Sequence, residues 1–200
     1  STPAQLFHLL RRQLMSRVRK PLIMMGPKSM LRNKLSFSPM GDFVEGAFLP
    51  VMGERHLATT TPRRVIFCSG KVYYDLLAER QKREIDDVVL LRIERLYPFP
   101  TDEVRIELQR YSRTSEIFWV QEEPENQGAW LFVSSPIRQS LLSNQKIFGV
   151  TRAESAAPAV GSIKRHKEEL EQLLNTAFAE GTEACWSDRH RYDAANQGSK

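Results

Sequence analysis

The chain has 200 residues, 41% of them hydrophobic, which is enough apolar material for one sizeable core. Its formal charge is +5 with a pI near 9.4. The basic runs Arg11, Arg12, Arg17, Arg19, Lys20 and Lys164, Arg165, Lys167 carry no interleaved aromatic residues, which argues for solvated helix faces over nucleic-acid binding.

No apolar run reaches the roughly 20 residues of a membrane span, and the amino terminus lacks a signal-peptide pattern. Two cysteines, Cys68 and Cys185, make neither a disulfide framework nor a metal quartet. A soluble protein in a reducing compartment is expected: cytoplasmic in a bacterium, the favoured case, or the mitochondrial matrix in a eukaryote.

In chain order, Ser1-Thr2-Pro3 reads as a helix start, because a hydroxyl can accept from the first free N–H groups and proline suits the first turn. Leu6, Leu9, Leu10 and Leu14 recur at helical spacing, with Phe7 widening the stripe. One face is therefore expected to be buried, and Pro21 to stop the helix. Residues 22–25 read as a short apolar strand ended by Gly26-Pro27. Residues 28–33 read as a positively charged loop or short helix. From 35 to 62 the pattern weakens, with one short strand expected around 48–52.

After that the signal sharpens. Residues 65–68 read as a buried strand, Ser69-Gly70-Lys71 as a tight turn, and 72–83 as a helix with Val72, Leu76 and Leu77 inward. Residues 87–93 form the next strand. Thr101 is expected to cap a helix in which Val104, Ile106, Leu108 and Tyr111 supply apolar contacts. Residues 117–120 are a strand ending in Gln121-Glu122-Glu123-Pro124, followed by a helix carrying Trp130, Leu131, Val133 and Ile137. Residues 147–150 form the last strand. Residues 163–178 form the last helix, with Leu170, Leu173, Leu174, Ala177 and Phe178 along one side. Strands alternating with helices imply parallel crossovers and a doubly wound α/β sandwich of three layers. Residues 181–200 read as a flexible tail.

Three places could carry chemistry. Ser69-Gly70-Lys71 would aim N–H groups and an ammonium at an anion, although it lacks a full phosphate-loop pattern and a plain βα turn is the favoured reading. Glu122-Glu123 sits at the carboxy end of a strand, where open sheets gather ligands. Adjacent residues on a strand point to opposite faces, however, so pairing with basic neighbours or a subunit contact is the blander reading. A distributed set, Lys28, Arg32, Arg152, Ser162 and Lys164, could hold a phosphate near helix starts. His8, His56, His166 and His190 have no metal-site spacing, and no catalytic constellation stands out.

Longer strings carry a resemblance: Ser1-Thr2-Pro3-Ala4-Gln5, Phe7-His8-Leu9-Leu10-Arg11-Arg12-Gln13, Arg19-Lys20-Pro21-Leu22 and Pro27-Lys28-Ser29-Met30-Leu31-Arg32. Then come Phe48-Leu49-Pro50, Cys68-Ser69-Gly70-Lys71-Val72-Tyr73-Tyr74-Asp75-Leu76, Leu96-Tyr97-Pro98-Phe99-Pro100, Gln121-Glu122-Glu123-Pro124, Asn126-Gln127-Gly128-Ala129-Trp130 and residues 155–161. Over about residues 1–178 the chain resembles the carboxy-terminal domain of the 2-oxoglutarate dehydrogenase family.

The resemblance implies a transketolase-like carboxy-terminal domain from about residue 20 to 180, with residues 1–19 the trailing helix of a preceding pyrimidine-binding domain. It further implies a homodimer working with a dihydrolipoyl succinyltransferase. In the whole enzyme thiamine diphosphate and magnesium bind to the preceding domains, where 2-oxoglutarate is oxidatively decarboxylated and succinyl passes to lipoyl groups in the tricarboxylic acid cycle. The piece alone is expected to be inactive, with no catalytic or metal-binding residues. Acetyl-CoA or AMP would be the effector implied, held by Lys28, Arg32, Lys71, Arg152, Ser162 and Lys164. A 2-oxoadipate dehydrogenase, or a free-standing module for phosphorylated ligands, fits the same residues.

Overall fold

Thr2 sets the first helix. Its hydroxyl accepts from Gln5 N at 3.2 Å and Pro3 occupies the first turn, so α1 runs Pro3–Met15. The structure, a computed structural model, describes residues 1–182 and divides into two units, Ser1–Pro50 and Val51 onward.

The first unit departs most from expectation. α1 buries Ala4, Gln5 and His8 instead of its leucine stripe, and Leu14 is 72% exposed. Two buried polar side chains of α1 are tied to specific backbone groups. Gln5 donates to Leu49 O at 2.8 Å and accepts from Leu49 N at 2.9 Å, and His8 Nε2 donates to Asp42 O at 2.8 Å. The helix ends at Met15, short of Pro21. Ser16 turns extended and its hydroxyl accepts from Val18 N, the local competition that makes serine a poor helix interior residue. The strand expected at 22–25 does not form: the run pairs with no neighbour, and Met25 is 93% exposed. Two short 3-10 turns follow, Lys28–Arg32 and Lys34–Ser36, then the single helical turn α2 (Met40–Val44).

The second unit is the α/β sandwich. Its strands are β1 (Val51–Met52), β2 (Arg64–Cys68), β3 (Val88–Ile93), β4 (Glu116–Pro124) and β5 (Lys146–Arg152), in sheet order β1-β3-β2-β4-β5. β1 is antiparallel to β3 and all other pairings are parallel. The crossover helices are α3 (Val72–Lys82), α4 (Thr101–Arg110) and α5 (Trp130–Ser140), and α6 (Ile163–Phe178) follows β5.

Strand alternation divides the core. Val65, Phe67, Val89, Leu91, Ile117 and Trp119 pack with α4 and α5 residues such as Val104, Leu108, Val133 and Ile137. α3 and α6 pack together and cover strands from the other side. Ile106 and Leu131 do not contribute as expected, being 56% and 50% exposed. Thr101 is the first residue of α4 and makes no cap; Asp102 and Glu103 supply negative charge to that turn instead.

The outer edge of β3 is finished by a side chain. Beyond β1, Glu54 accepts from Leu90 N at 2.8 Å, so a carboxylate takes the place of a strand carbonyl. Arg80 grips the same carboxylate at 2.6 and 3.1 Å and donates to Val88 O. Both side chains of this ion pair are almost wholly buried. Burial alone would raise the Glu54 pKa, but Arg80 and the N–H groups of Leu90 and His56 outweigh it and hold the carboxyl below its ordinary value of 4.5.

A folded-state pKa that is depressed stabilises the fold above 4.5, and that contribution is lost as pH falls through the folded-state value. Glu54→Gln strands a buried guanidinium and is predicted to cost about 3 kcal/mol at pH 7. Urea unfolding at pH 7 and pH 4 checks this: the wild type loses more stability on acidification than the variant does.

Candidate functional site

From β2 the chain crosses through α3 to β3 on one side, and from β4 through α5 to β5 on the other. The carboxy ends of the adjacent strands β2 and β4 therefore flank the topological switch point, the place where open α/β sheets collect ligands. β2 leads into Ser69-Gly70-Lys71, with Gly70 at φ +76, a left-handed conformation that glycine adopts without strain. β4 supplies Glu122.

Two separately flagged features meet here. Lys71 Nζ lies 2.5 Å from Asp75 Oδ2 and 3.1 Å from Glu122 Oε2. Burial alone would lower the Lys71 pKa, but Asp75 and then Glu122 outweigh it and push it above the ordinary lysine value. The ammonium is thus held charged by two carboxylates of its own chain. An added phosphate would meet more negative than positive charge at this spot.

Arg152, at the end of β5, extends the cluster. Its Nε donates to Glu122 O, Nη1 to Glu169 Oε2 at 3.0 Å and Nη2 to Pro158 O at 3.0 Å. Arg165 holds the other Glu169 oxygen at 2.8 Å. The two guanidiniums, Arg165 foremost, depress the Glu169 pKa. Ser162 caps α6, accepting from Arg165 N, and Lys164 stands exposed 3.9 Å from Glu168. Lys28 and Arg32 lie exposed on the 3-10 turn of the first unit. Of the six expected phosphate ligands, only Lys71 and Arg152 meet on a common residue, Glu122, and Arg152 is linked on through Glu169 to the first turns of α6.

The organising residue at this rim is one that sequence reasoning missed. Gln121 is buried, and its Oε1 accepts from Trp119 Nε1 at 3.0 Å, Ala129 N at 3.1 Å and Trp130 N at 2.8 Å. Its Nε2 donates to Pro124 O at 3.0 Å and Gln127 O at 2.8 Å. One amide thus folds the β4–α5 loop and satisfies the first N–H groups of α5. Gly128 at φ +64 permits this, since a Cβ there would sit 2.9 Å from Gln121 Nε2. Gly149 on β5 gives the Trp130 ring its seat, 2.7 Å from where a Cβ would stand. Asn126 then pairs reciprocally with the Ser155 backbone at 3.1 Å, tying down the next loop. A lone glutamine in an apolar strand, just before a proline and glycine loop, was the available signal.

Groups suited to covalent chemistry are not assembled here. Cys68 is fully buried and its thiol is pushed up to about 12, foremost by desolvation. Among the described residues no three of His, Cys, Asp and Glu are gathered in a metal-holding arrangement. His190 and Cys185 lie outside the described residues.

Against known families, residues 37–178 match the family described as 2-oxoglutarate dehydrogenase C-terminal. The chain is 48% identical over 180 residues to the 2-oxoglutarate dehydrogenase E1 component of Cupriavidus necator, covering 90% of this chain and 19% of that protein. It is 43% identical over 183 residues to the protein of that name from Coxiella burnetii, covering 89% and 19%. For the one from Haemophilus influenzae the values are 42% over 180 residues, 90% and 19%. The chain thus spans about a fifth of the length of the curated relatives it matches.

Gln121→Leu leaves several buried N–H and C=O groups without partners and is predicted to destabilise by about 3 kcal/mol. Hydrogen exchange should quicken at the Ala129 and Trp130 amides before it does in β2 and β3. Gln121→Glu, which keeps the acceptors and loses the donors, should fall between the two.

Proposed function

The chain belongs to the 2-oxoglutarate dehydrogenase C-terminal family, and from that premise we propose that it serves an E1 component as an assembly domain. The whole protein would oxidatively decarboxylate 2-oxoglutarate with thiamine diphosphate and magnesium, and pass succinyl to the lipoyl groups of a dihydrolipoyl succinyltransferase. A cytoplasmic setting goes with this reading, since the relatives named above are bacterial proteins. Among the described residues no helix is long and apolar enough to cross a membrane.

The observation that carries an assembly role is an exposed apolar patch beside an otherwise ion-paired rim. Tyr97 is 82% exposed, its ring 6.5 Å from that of Phe132, with Leu131 next in sequence and also half exposed. Aromatic residues grouped in this way mark interaction surfaces more often than solvent faces. A second copy of the chain is the partner this reading assigns to them.

A second reading, an acetyl-CoA or AMP effector site, draws on the start of α6. Its first turn has no acidic residue, carries the Ser162 cap and is followed by Lys164 and Arg165. Helix starts of that kind favour anions. Lys71 and Arg152 could join only by releasing carboxylate partners. Lys28 and Arg32 enter the proposed set from the sequence and the family resemblance alone. Calorimetry with acetyl-CoA and with AMP tests this, and Lys164→Ala should weaken any binding seen.

The double variant Tyr97→Ser, Phe132→Ser is predicted to shift the chain from dimer to monomer in sedimentation velocity at unchanged circular dichroism. A wild-type chain that sediments as a monomer at all concentrations would remove the dimer reading. Supplied with thiamine diphosphate, magnesium and 2-oxoglutarate, the chain alone should release no carbon dioxide; turnover would overturn the assembly role.

A further inference from the structure

The excess positive charge of this protein is not spread evenly. Residues 1–50 hold eight Lys or Arg and only two Asp or Glu, a net of +6, against +5 for all 200 residues. In the second unit the buried Arg64 and Arg80 and the half-buried Lys71 are each matched with carboxylates. In the first unit Arg11 and Arg12 are exposed, and among the described residues neither forms a salt bridge.

Those two guanidiniums stand on one cleft. It has a volume of about 530 Å³ and is lined by His8, Arg11, Arg12, Met15, Ser16 and Phe48, all within the first unit. Arg12 lies over the Phe48 ring at 5.4 Å, which steadies its fork. His8 is 3% exposed. Its Nε2 is committed to the Asp42 carbonyl at 2.8 Å, while its Nδ1 is buried without any hydrogen-bond partner. An unmatched buried ring nitrogen is unfavourable unless something supplies its partner. The seat is close-fitting: a Cβ on Gly46 would come within 2.8 Å of His8 Nε2 and 2.2 Å of Asp42 O, so only glycine lets the ring and that carbonyl meet.

We propose that this cleft binds a small phosphate monoester, with Arg11 and Arg12 on the phosphate oxygens, His8 Nδ1 accepting from a ligand hydroxyl, the P–OH of a monoanionic phosphate included, and the ligand's apolar part against Met15 and Phe48. Paired guanidinium forks match the geometry and charge of a phosphate, and a field from unbalanced positive charge draws such a ligand in. The apolar wall selects an ester over the bare ion. This site is separate from the effector set at Lys28, Arg32 and α6, and it stands or falls independently of the assembly role.

The test titrates the full 200-residue chain with phenyl phosphate and with inorganic phosphate by calorimetry at low ionic strength. Phenyl phosphate should bind one per chain and several-fold more tightly than inorganic phosphate. The double variant Arg11→Ala, Arg12→Ala should weaken it by about tenfold or more, the loss expected for charge-assisted hydrogen bonds. Its melting temperature should match the wild type, since among the described residues neither side chain is part of an ion pair. The imidazole resonances of His8 should move during the titration and saturate with it. Lys28→Ala with Arg32→Ala should leave the affinity within about twofold. Absence of saturable binding, equal affinity in the Arg11 and Arg12 variant, an unmoved His8, or loss on the Lys28 and Arg32 variant would each overturn the proposal.

Discussion

A guanidinium with no exposed surface stands at the head of the central strand. Arg64 opens β2 and is fully buried, a placement that is tolerable only if its charge and donors are met. Glu116, across the ladder at the head of β4, takes Nε and Nη2 at 2.9 and 2.6 Å. The Phe118 ring lies 3.8 Å from its carbon centre. Arg64 also donates to Ala177 O, 2.7 Å away in the last turn of α6, and to Gly181 O, 2.9 Å away just beyond that helix. Arg63 adds Phe178 O, Ala179 O and Asp87. Carbonyls at a helix end lack partners within the helix and sit at its negative pole, so two arginines there satisfy both needs. The two centre strands and the last helix are joined in one charge-assisted knot.

The opposite rim is closed by different chemistry toward the same end. Gln121 shapes the β4–α5 loop, Lys71 bridges α3 and β4, and Arg152 links β4, β5 and α6. Along the third open edge, Glu54 and Arg80 stand in for a strand. Charged residues that look available in sequence are mostly committed to holding the sandwich together. Tyr97 and Phe132 stay largely exposed, and in the first unit Arg11 and Arg12 line a cleft with no salt-bridge partner among the described residues.

The strands and helices of the second unit were legible because their apolar periods are long and the βα punctuation is plain: residues 163–178 were read as the helix that forms, and β2 and β3 differ from expectation by a residue. The first unit was not legible in the same way. Its helix hides Gln5 and His8 rather than leucines, because specific hydrogen bonds to Leu49 and Asp42 decide which face turns inward. Residues 22–25 looked like a strand only by composition, and they form no strand pairing. At the candidate site, Lys71 and Glu122 each carried a local signal, but their contact depends on the strand order and has no local signature. Gln121 had the faintest signal and the largest structural part, since nothing in a string of letters says which backbone groups one amide will reach.

The central claim, that buried Arg64 couples α6 to the middle of the sheet, is tested most directly by residue-resolved hydrogen exchange on Arg64→Met, which keeps the bulk and removes the donors and charge. The account predicts that amides of α6, above all Leu173 to Phe178, exchange at least about tenfold faster, while those of β3 and α4 keep most of their protection relative to α6. Equal protection across α6 in the variant and the wild type would contradict it.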